Sequence, residues 1–242
     1  MSLSQKIINL ENLSHGPHYK EKKGLYLNLI ENYHDKIFDL KNKSPSQLNQ
    51  DLYVLAINNF KTDGYFIEFG AANGNTFSNT WLLEKEFGWL GIVAEPARCF
   101  HNELKNNRSC NIEFDCVWNE SDKEILFRES GELSTIDTFT DCDFHAEKRK
   151  NKEVYSVKTI SIMDLLKKYN APSHIEYLSI DTEGSELEIL KSLDFEKYKI
   201  DVITCEHNHT NLRNEIRDFL FSKGYEWVNE SFSDFDDWYK LK

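Results

Sequence analysis

The sequence predicts an α/β protein: a mostly parallel central sheet with helices on both faces and an antiparallel strand pair at the C-terminus. Three observations carry this expectation. Short apolar, β-branched runs alternate with segments of helical spacing, as in parallel strands buried on both faces. The run Tyr65–Phe69 breaks directly into Gly70-Ala71-Ala72-Asn73-Gly74, the kind of strand–turn–helix that holds a ligand beyond the strand ends of an open sheet. Near the end, Tyr225–Asn229 and Asp237–Leu241 have the alternation of a closing hairpin-like pair.

Taken in order, residues 1–60 read as a helical extension and 61–242 as the sheet-bearing domain. The extension shows helical spacing at Leu25 and Leu29, and again at Leu52, Leu55 and Ala56. Its last helix is expected to start at Ser44-Pro45-Ser46, since proline suits the first helical turn. Strands are expected at Tyr65–Phe69, Gly91–Ala94, Asn111–Asp115, Ile175–Ile180 and Asp201–Glu206. Helices are expected at Asn75–Phe87, Ala97–Asn107, Ser185–Leu193 and Leu212–Lys223. Lys123–Glu129 and Val154–Ile160 alternate polar and apolar residues and read as added strands. Between them the charged segment 137–153 is expected to be a lid or a disordered surface loop.

Composition narrows the function. A formal net charge of −12 argues against a nucleic-acid partner, because such proteins present a basic face. The five cysteines lack metal-type spacing and read as reduced thiols of a cytoplasmic protein. Met1–Leu13 has no apolar core of a secretory signal, and no run is long enough to span a membrane. In the turn after Tyr65–Phe69 the spacing is Glu-x-Gly-x-x-x-Gly, so the three-glycine dinucleotide fingerprint is missing. That shifts the expected cofactor from NAD to S-adenosylmethionine.

An ordered series of motifs, between Ser46 and Tyr239, makes the chain resemble the FkbM family of S-adenosylmethionine-dependent methyltransferases. The series is Gln50-Asp51, Glu68-Phe69-Gly70-Ala71, Ser78-Asn79-Thr80, Leu83-Glu84-Lys85, Gly88-Trp89, Glu95-Pro96, Tyr177 through Glu186, and Glu206-His207-Asn208. The resemblance implies a Rossmann-like class I methyltransferase fold, and a sugar or glycan hydroxyl as methyl acceptor. It departs from the family pattern at Ala72-Asn73, where many relatives carry a polar or acidic pair.

Individual residues take the following expected roles. Glu95, with Pro96 closing the second strand, can accept both ribose hydroxyls; the competing reading is an acid favoured by a helix dipole. Gly70, Ala71 and Asn73 would border the methionine portion, with Glu68 beneath them. Ser78 and Asn79 either face the cofactor carboxylate or form a solvated helix surface. Asp115 and Cys116, ending the third strand, either contact adenine or cap a turn. At the reacting end, Asp181 and Glu183 meet Glu206, His207 and Asn208 from the neighbouring strand. His207 is the expected general base, because a neutral imidazole is available near neutral pH, and Asp181 is the second candidate. Asp181, Glu206 and Asn208 offer hard oxygen ligands suited to Mg²⁺ or Ca²⁺; otherwise Asp181 and Glu183 cap the following helix. Arg98 and Arg108 read as surface or helix-end charges, and His15, His18, His34, His101, His145 and His174 as solvated or structural. A methyltransferase acting on another small metabolite or on nucleic acid, a non-catalytic binding module and a nicotinamide oxidoreductase are the alternatives. Residues 1–60 would either cover the site or form a homodimer contact.

Overall fold

In the computed structural model, which describes residues 36–242, the first strand of the main sheet, β1 (Tyr65–Phe69), lies in its interior. Its parallel neighbours are β2 (Leu90–Ala94) and β8 (His174–Ile180). Outward from β2 comes β3 (Asn111–Glu113), and outward from β8 comes β9 (Lys199–Glu206), both parallel. The chain then reverses: β11 (Asp236–Leu241) inserts antiparallel against β9, and β10 (Tyr225–Val228) pairs antiparallel with β11 at the edge. The order is β10-β11-β9-β8-β1-β2-β3, the expected mostly parallel sheet with its antiparallel C-terminal pair. Because β1, β2, β8 and β9 run the same way, their carboxyl ends share one edge, where ligands of open α/β sheets bind.

Helices cover both faces. One apolar layer joins Ile67, Ile92, Leu178 and Ile203 to Leu165, Leu187, Leu190 and Leu220. The opposite layer joins Phe66, Val93, Tyr177, Val202 and Trp238 to Leu52, Leu55, Leu82 and Leu83. Strand residues alternate between the layers, as the two-residue period of a strand requires. On the first layer lie α6 (Ile162–Lys168), α7 (Glu186–Lys191) and α8 (Leu212–Ser222). On the second lie α1 (Lys36–Leu40), α2 (Gln50–Ile57) and α3 (Trp81–Phe87). α4 (His101–Asn107) adds Leu104 to that layer.

A second sheet, in the order β4-β7-β5-β6, stands beside the main one. It contains β4 (Cys116–Trp118), β5 (Glu124–Glu129), β6 (Thr135–Ile136) and β7 (Glu153–Ser161). Both added strands expected from alternation are therefore present, antiparallel to one another.

Several boundaries differ from expectation for physical reasons. The helix expected from Asn75 starts at Trp81, because Ser78, Asn79 and Thr80 are held by Glu68 instead. The third strand stops at Glu113, whose carboxylate accepts from the Phe114 and Asp115 amides, so Asp115 sits in the bend before β4. The helix expected from Ser44 starts at Gln50; Ser46 instead bridges to Phe77. α6 is an addition: Ser161 caps it by accepting from the Asp164 amide at 3.1 Å. The segment 137–153 is ordered, containing a 3₁₀ turn (Asp137–Phe139) and α5 (Ala146–Arg149), with Arg149 fully buried. The helical spacing at Leu25 and Leu29 lies outside the described residues. Among the described residues, no helix is long and apolar enough to cross a membrane.

Candidate active site

A cavity of about 360 Å³ opens at the carboxyl ends of β1, β2, β8 and β9. Gly70 makes its first wall possible. Its φ of +77° suits glycine, and a Cβ there would lie 1.7 Å from the Asp181 carbonyl oxygen. The Gly70 and Ala71 amides both donate to the Ala94 carbonyl, fastening the turn across the end of β2.

Glu68 is the anchor of this wall. Its carboxylate accepts from Ser78 Oγ (2.9 Å), the Asn79 amide (2.6 Å), Thr80 Oγ1 (2.6 Å) and Arg108 Nη1 (3.0 Å). Arg108 is therefore buried rather than a surface charge, and also donates to Glu84 and Thr80. Burial disfavours the guanidinium, but Glu68 and Glu84 hold its pKa above the ordinary value. Such a fully bonded carboxylate shapes the turn. Asn79 spans further, donating to Ser179 Oγ at 3.0 Å and accepting from Ser46 Oγ at 2.7 Å.

On the β2 side, Glu95 Oε2 accepts from the Ala72 amide and Oε1 from the Ala97 amide, each at 2.8 Å. Burial pushes its carboxyl up to about 7. Pro96 and Cys116 line the same end of the cavity. Asn73 and Asp115 do not. Asn73 instead closes its own turn by accepting from the Asn75 and Thr76 amides.

At the other end, Asp181, Glu183 and Glu206 place carboxylate oxygens within 4.8 Å of one another. Burial pushes Asp181 up to about 7, countered by a hydrogen bond from Glu206. Burial first and the Asp181 charge second raise Glu206 well above the usual range, so the two carboxyls share a proton. Glu183 accepts from Arg149 Nη2 at 2.6 Å and from Asn208 Nδ2 at 2.9 Å. All three carboxylates and Asn208 line the cavity.

His207 does not. The His207 and Asn208 amides both donate to the Phe235 carbonyl, which turns the imidazole away from the cavity. Its Nδ1 accepts from the His209 amide at 3.0 Å, and Nε2 faces Asp237 at 3.5 Å. It borders a separate void of about 10 Å³ behind Glu206 and Asn208. The histidine that does reach the cavity is His145, from segment 137–153, with its ring 4.0 Å from that of Phe144. Burial lowers the His145 pKa, which keeps the imidazole neutral. Arg108 and His145, expected as surface or structural residues, instead support and line the site, and Arg149, Phe77 and Phe144 join them without having been expected there. Nothing local distinguishes a buried arginine or a cavity histidine from its solvated counterparts.

Residues 68–227 match the methyltransferase FkbM domain family. No curated protein sequence matches the chain. The chain is similar in structure to a methyltransferase FkbM from Methylobacillus flagellatus KT (TM-score 0.53, 12% identity), covering 89% of this chain and 58% of that one. That likeness shows the fold, and this chain spans less than two thirds of the length of its relative. A precorrin-6y C5,15-methyltransferase from Geobacter metallireducens GS-15 aligns at TM-score 0.42 and 10% identity, over 73% of this chain and 71% of that one. A SAM-dependent methyltransferase from Geobacter sulfurreducens aligns at TM-score 0.37 and 10% identity, over 80% and 72%.

Proposed function

The chain belongs to the FkbM methyltransferase domain family, and from that premise we propose an S-adenosylmethionine-dependent O-methyltransferase acting on a sugar or glycan hydroxyl. The observation that carries it is the single cavity bounded by Glu95 at the end of β2 and by Asp181 and Glu206 at the ends of β8 and β9. One end suits a ribose and the other a reacting hydroxyl.

The residues present fit the cofactor. Glu95 keeps lone pairs beyond those given to the Ala72 and Ala97 amides, enough to accept from ribose hydroxyls. Gly70 and Ala71 leave room at the turn for the methionine portion, and Pro96 and Cys116 flank the adenine side. Glu68, Ser78 and Asn79 hold that turn in place, and Asn73 shapes it from outside the cavity. When bound, S-adenosylmethionine supplies a methyl carbon already activated by its sulfonium.

The protein then aligns an acceptor oxygen and takes its proton. Asp181 is the base in this reading: it reaches the cavity, and its raised pKa lies near neutral pH, where a general base works best. The hydrogen bond shared with Glu206 supports the Asp181 carboxylate, and Glu183 with Arg149 closes the wall behind. His207 braces the β9 end against Asp237. A positioned base is worth about 10²–10⁴-fold.

A second reading is favoured by the three convergent carboxylates: a hard divalent cation could take Asp181, Glu183 and Glu206, with Asn208 Oδ1 as a further oxygen. It would replace the shared proton. Free thiols at all five cysteines suit a reducing, cytoplasmic compartment.

The test is a thermal-shift titration of S-adenosylhomocysteine with and without Mg²⁺. At 100 times its dissociation constant a ligand adds about 2.7 kcal/mol. Loss of the shift in Glu95→Ala supports the ribose assignment, and absence of any shift in the unaltered protein sinks the enzyme reading. Tighter binding with Mg²⁺ favours the cation; indifference to it favours the shared proton.

A further inference from the structure

The described residues that line the cavity include six carboxylic acids and neither lysine nor arginine. Glu68 and Glu183 are neutralised from behind the wall by Arg108 and Arg149, whose side chains have no exposed surface. Glu95, Asp181 and Glu206 meet no cation, and Glu132 stands exposed at the edge. At the same edge are two unusual apolar groups. Among the described residues, Phe77, Phe144 and Phe221 are the exposed phenylalanines, and the first two line the cavity. They are 47% and 65% exposed, so each ring keeps surface within reach of a ligand. Phe77 is held there at φ +61°, a conformation that is an outlier for a bulky residue and is concentrated at functional positions. Phe144 comes from the segment fixed by Arg149, with its ring against His145.

We propose that the methyl acceptor of this site carries no phosphate, sulfate or carboxylate, and that its ring is gripped by Phe77 and Phe144. This deepens the methyltransferase reading and rests on it. An anionic group brought to the acceptor end, beside Asp181 and Glu206, finds like charge without a compensating cation among the described lining residues. A neutral hydroxylated ring meets the opposite conditions: apolar faces pack on the phenyl rings, and hydroxyls donate to carboxylates. Nucleotide-linked sugars and acidic sugars are thereby excluded as acceptors.

A matched pair of probes tests this on protein saturated with S-adenosylhomocysteine: phenyl β-D-glucoside and phenyl β-D-glucuronide, differing by one carboxylate. Binding is read by saturation-transfer NMR at millimolar probe. The glucoside is expected to bind at least tenfold more tightly than the glucuronide. Phe77→Ala and Phe144→Ala are each expected to weaken it severalfold with the S-adenosylhomocysteine shift retained. Equal or tighter binding of the glucuronide overturns the charge argument. No binding of the glucoside, or binding indifferent to both substitutions, overturns the ring grip. Because S-adenosylhomocysteine is bound and measured separately, these failures are distinct from failure of the methyltransferase reading.

Discussion

Arg149 Nη2 donates to Glu183 Oε2 at 2.6 Å, tying segment 137–153 to the end of β8. The same guanidinium meets Asp143 through both terminal nitrogens (2.8 and 3.0 Å) and donates from Nε to the Leu133 carbonyl. A charged stretch of chain thus becomes a fixed wall that carries Phe144 and His145. Removing one partner of a buried pair leaves the other charge uncompensated, at a cost of about 3–5 kcal/mol.

Arg149→Met is accordingly expected to destabilise the protein by about 3–5 kcal/mol, with protease cleavage appearing first within 137–153. Arg149→Lys recovers only part of this, because an ammonium cannot reproduce the planar fork. Denaturant unfolding of both variants, with limited proteolysis, checks the order. A lysine variant as stable as the parent would show that the fork geometry is immaterial.

Asp181→Asn separates stability from turnover. Above pH 7 it removes a carboxylate that burial has already made costly, so the melting temperature at pH 8 should hold steady or rise by a few degrees, on the order of 1 kcal/mol. Methyl transfer should fall about 10²–10⁴-fold, with S-adenosylhomocysteine binding unchanged. Turnover surviving in this variant would move the base to another group, with His145 the next to replace.

How much of this was legible in the sequence varies with what each residue depends on. β1 was expected at Tyr65–Phe69 and lies there, because five apolar-patterned residues ending in Gly70 define a strand and its stop locally. α6 carried a local signal too: Ser161 three residues before Asp164, then Ile162, Leu165 and Leu166 on one side. The expected strand stops at Ile160, and no element is expected over these residues. Arg108 and Arg149 could not be read this way. Their burial depends on Glu68, Glu84, Asp143 and Glu183 arriving from distant elements. The direction of His207 likewise depends on Phe235, 28 residues later, taking the amides of His207 and Asn208.

Two glycines with similar backbones should respond differently to alanine. Gly70 (φ +77°) would drive its Cβ into the Asp181 carbonyl, where backbone cannot yield. Gly88 (φ +68°) closes α3 with nothing within 4 Å of the added carbon. Gly88→Ala should therefore cost only the conformational term, about 1 kcal/mol. Gly70→Ala should cost more than about 4 kcal/mol, the range reserved for disruptive changes, and should abolish S-adenosylhomocysteine binding. Comparable stability of the two would mean that β1 and β8 can separate at this point.

The pH profile of the ligand-free protein follows from Glu95, which burial raises to about 7. Between the ordinary glutamate range near 4.5 and about pH 7, the unfolded chain has released this proton and the folded chain retains it. The unfolded state then binds fewer protons, so stability falls as pH rises through that window and levels off above it. The decline attributable to Glu95 is on the order of 1–3 kcal/mol. Asp181, also raised to about 7, acts in the same direction. Glu95→Gln should flatten the Glu95 contribution, leaving a shallower slope in melting temperature from pH 5 to 7.5. S-adenosylhomocysteine should reverse the trend for the unaltered protein: a carboxylate accepting from two hydroxyls binds best when ionised, so affinity should rise with pH toward 8. Thermal melts across this range, with and without the ligand, measure both slopes at once. If the ligand-free protein grows more stable from pH 5 to 7.5, Glu95 is ionised throughout and its two backbone amides outweigh its burial.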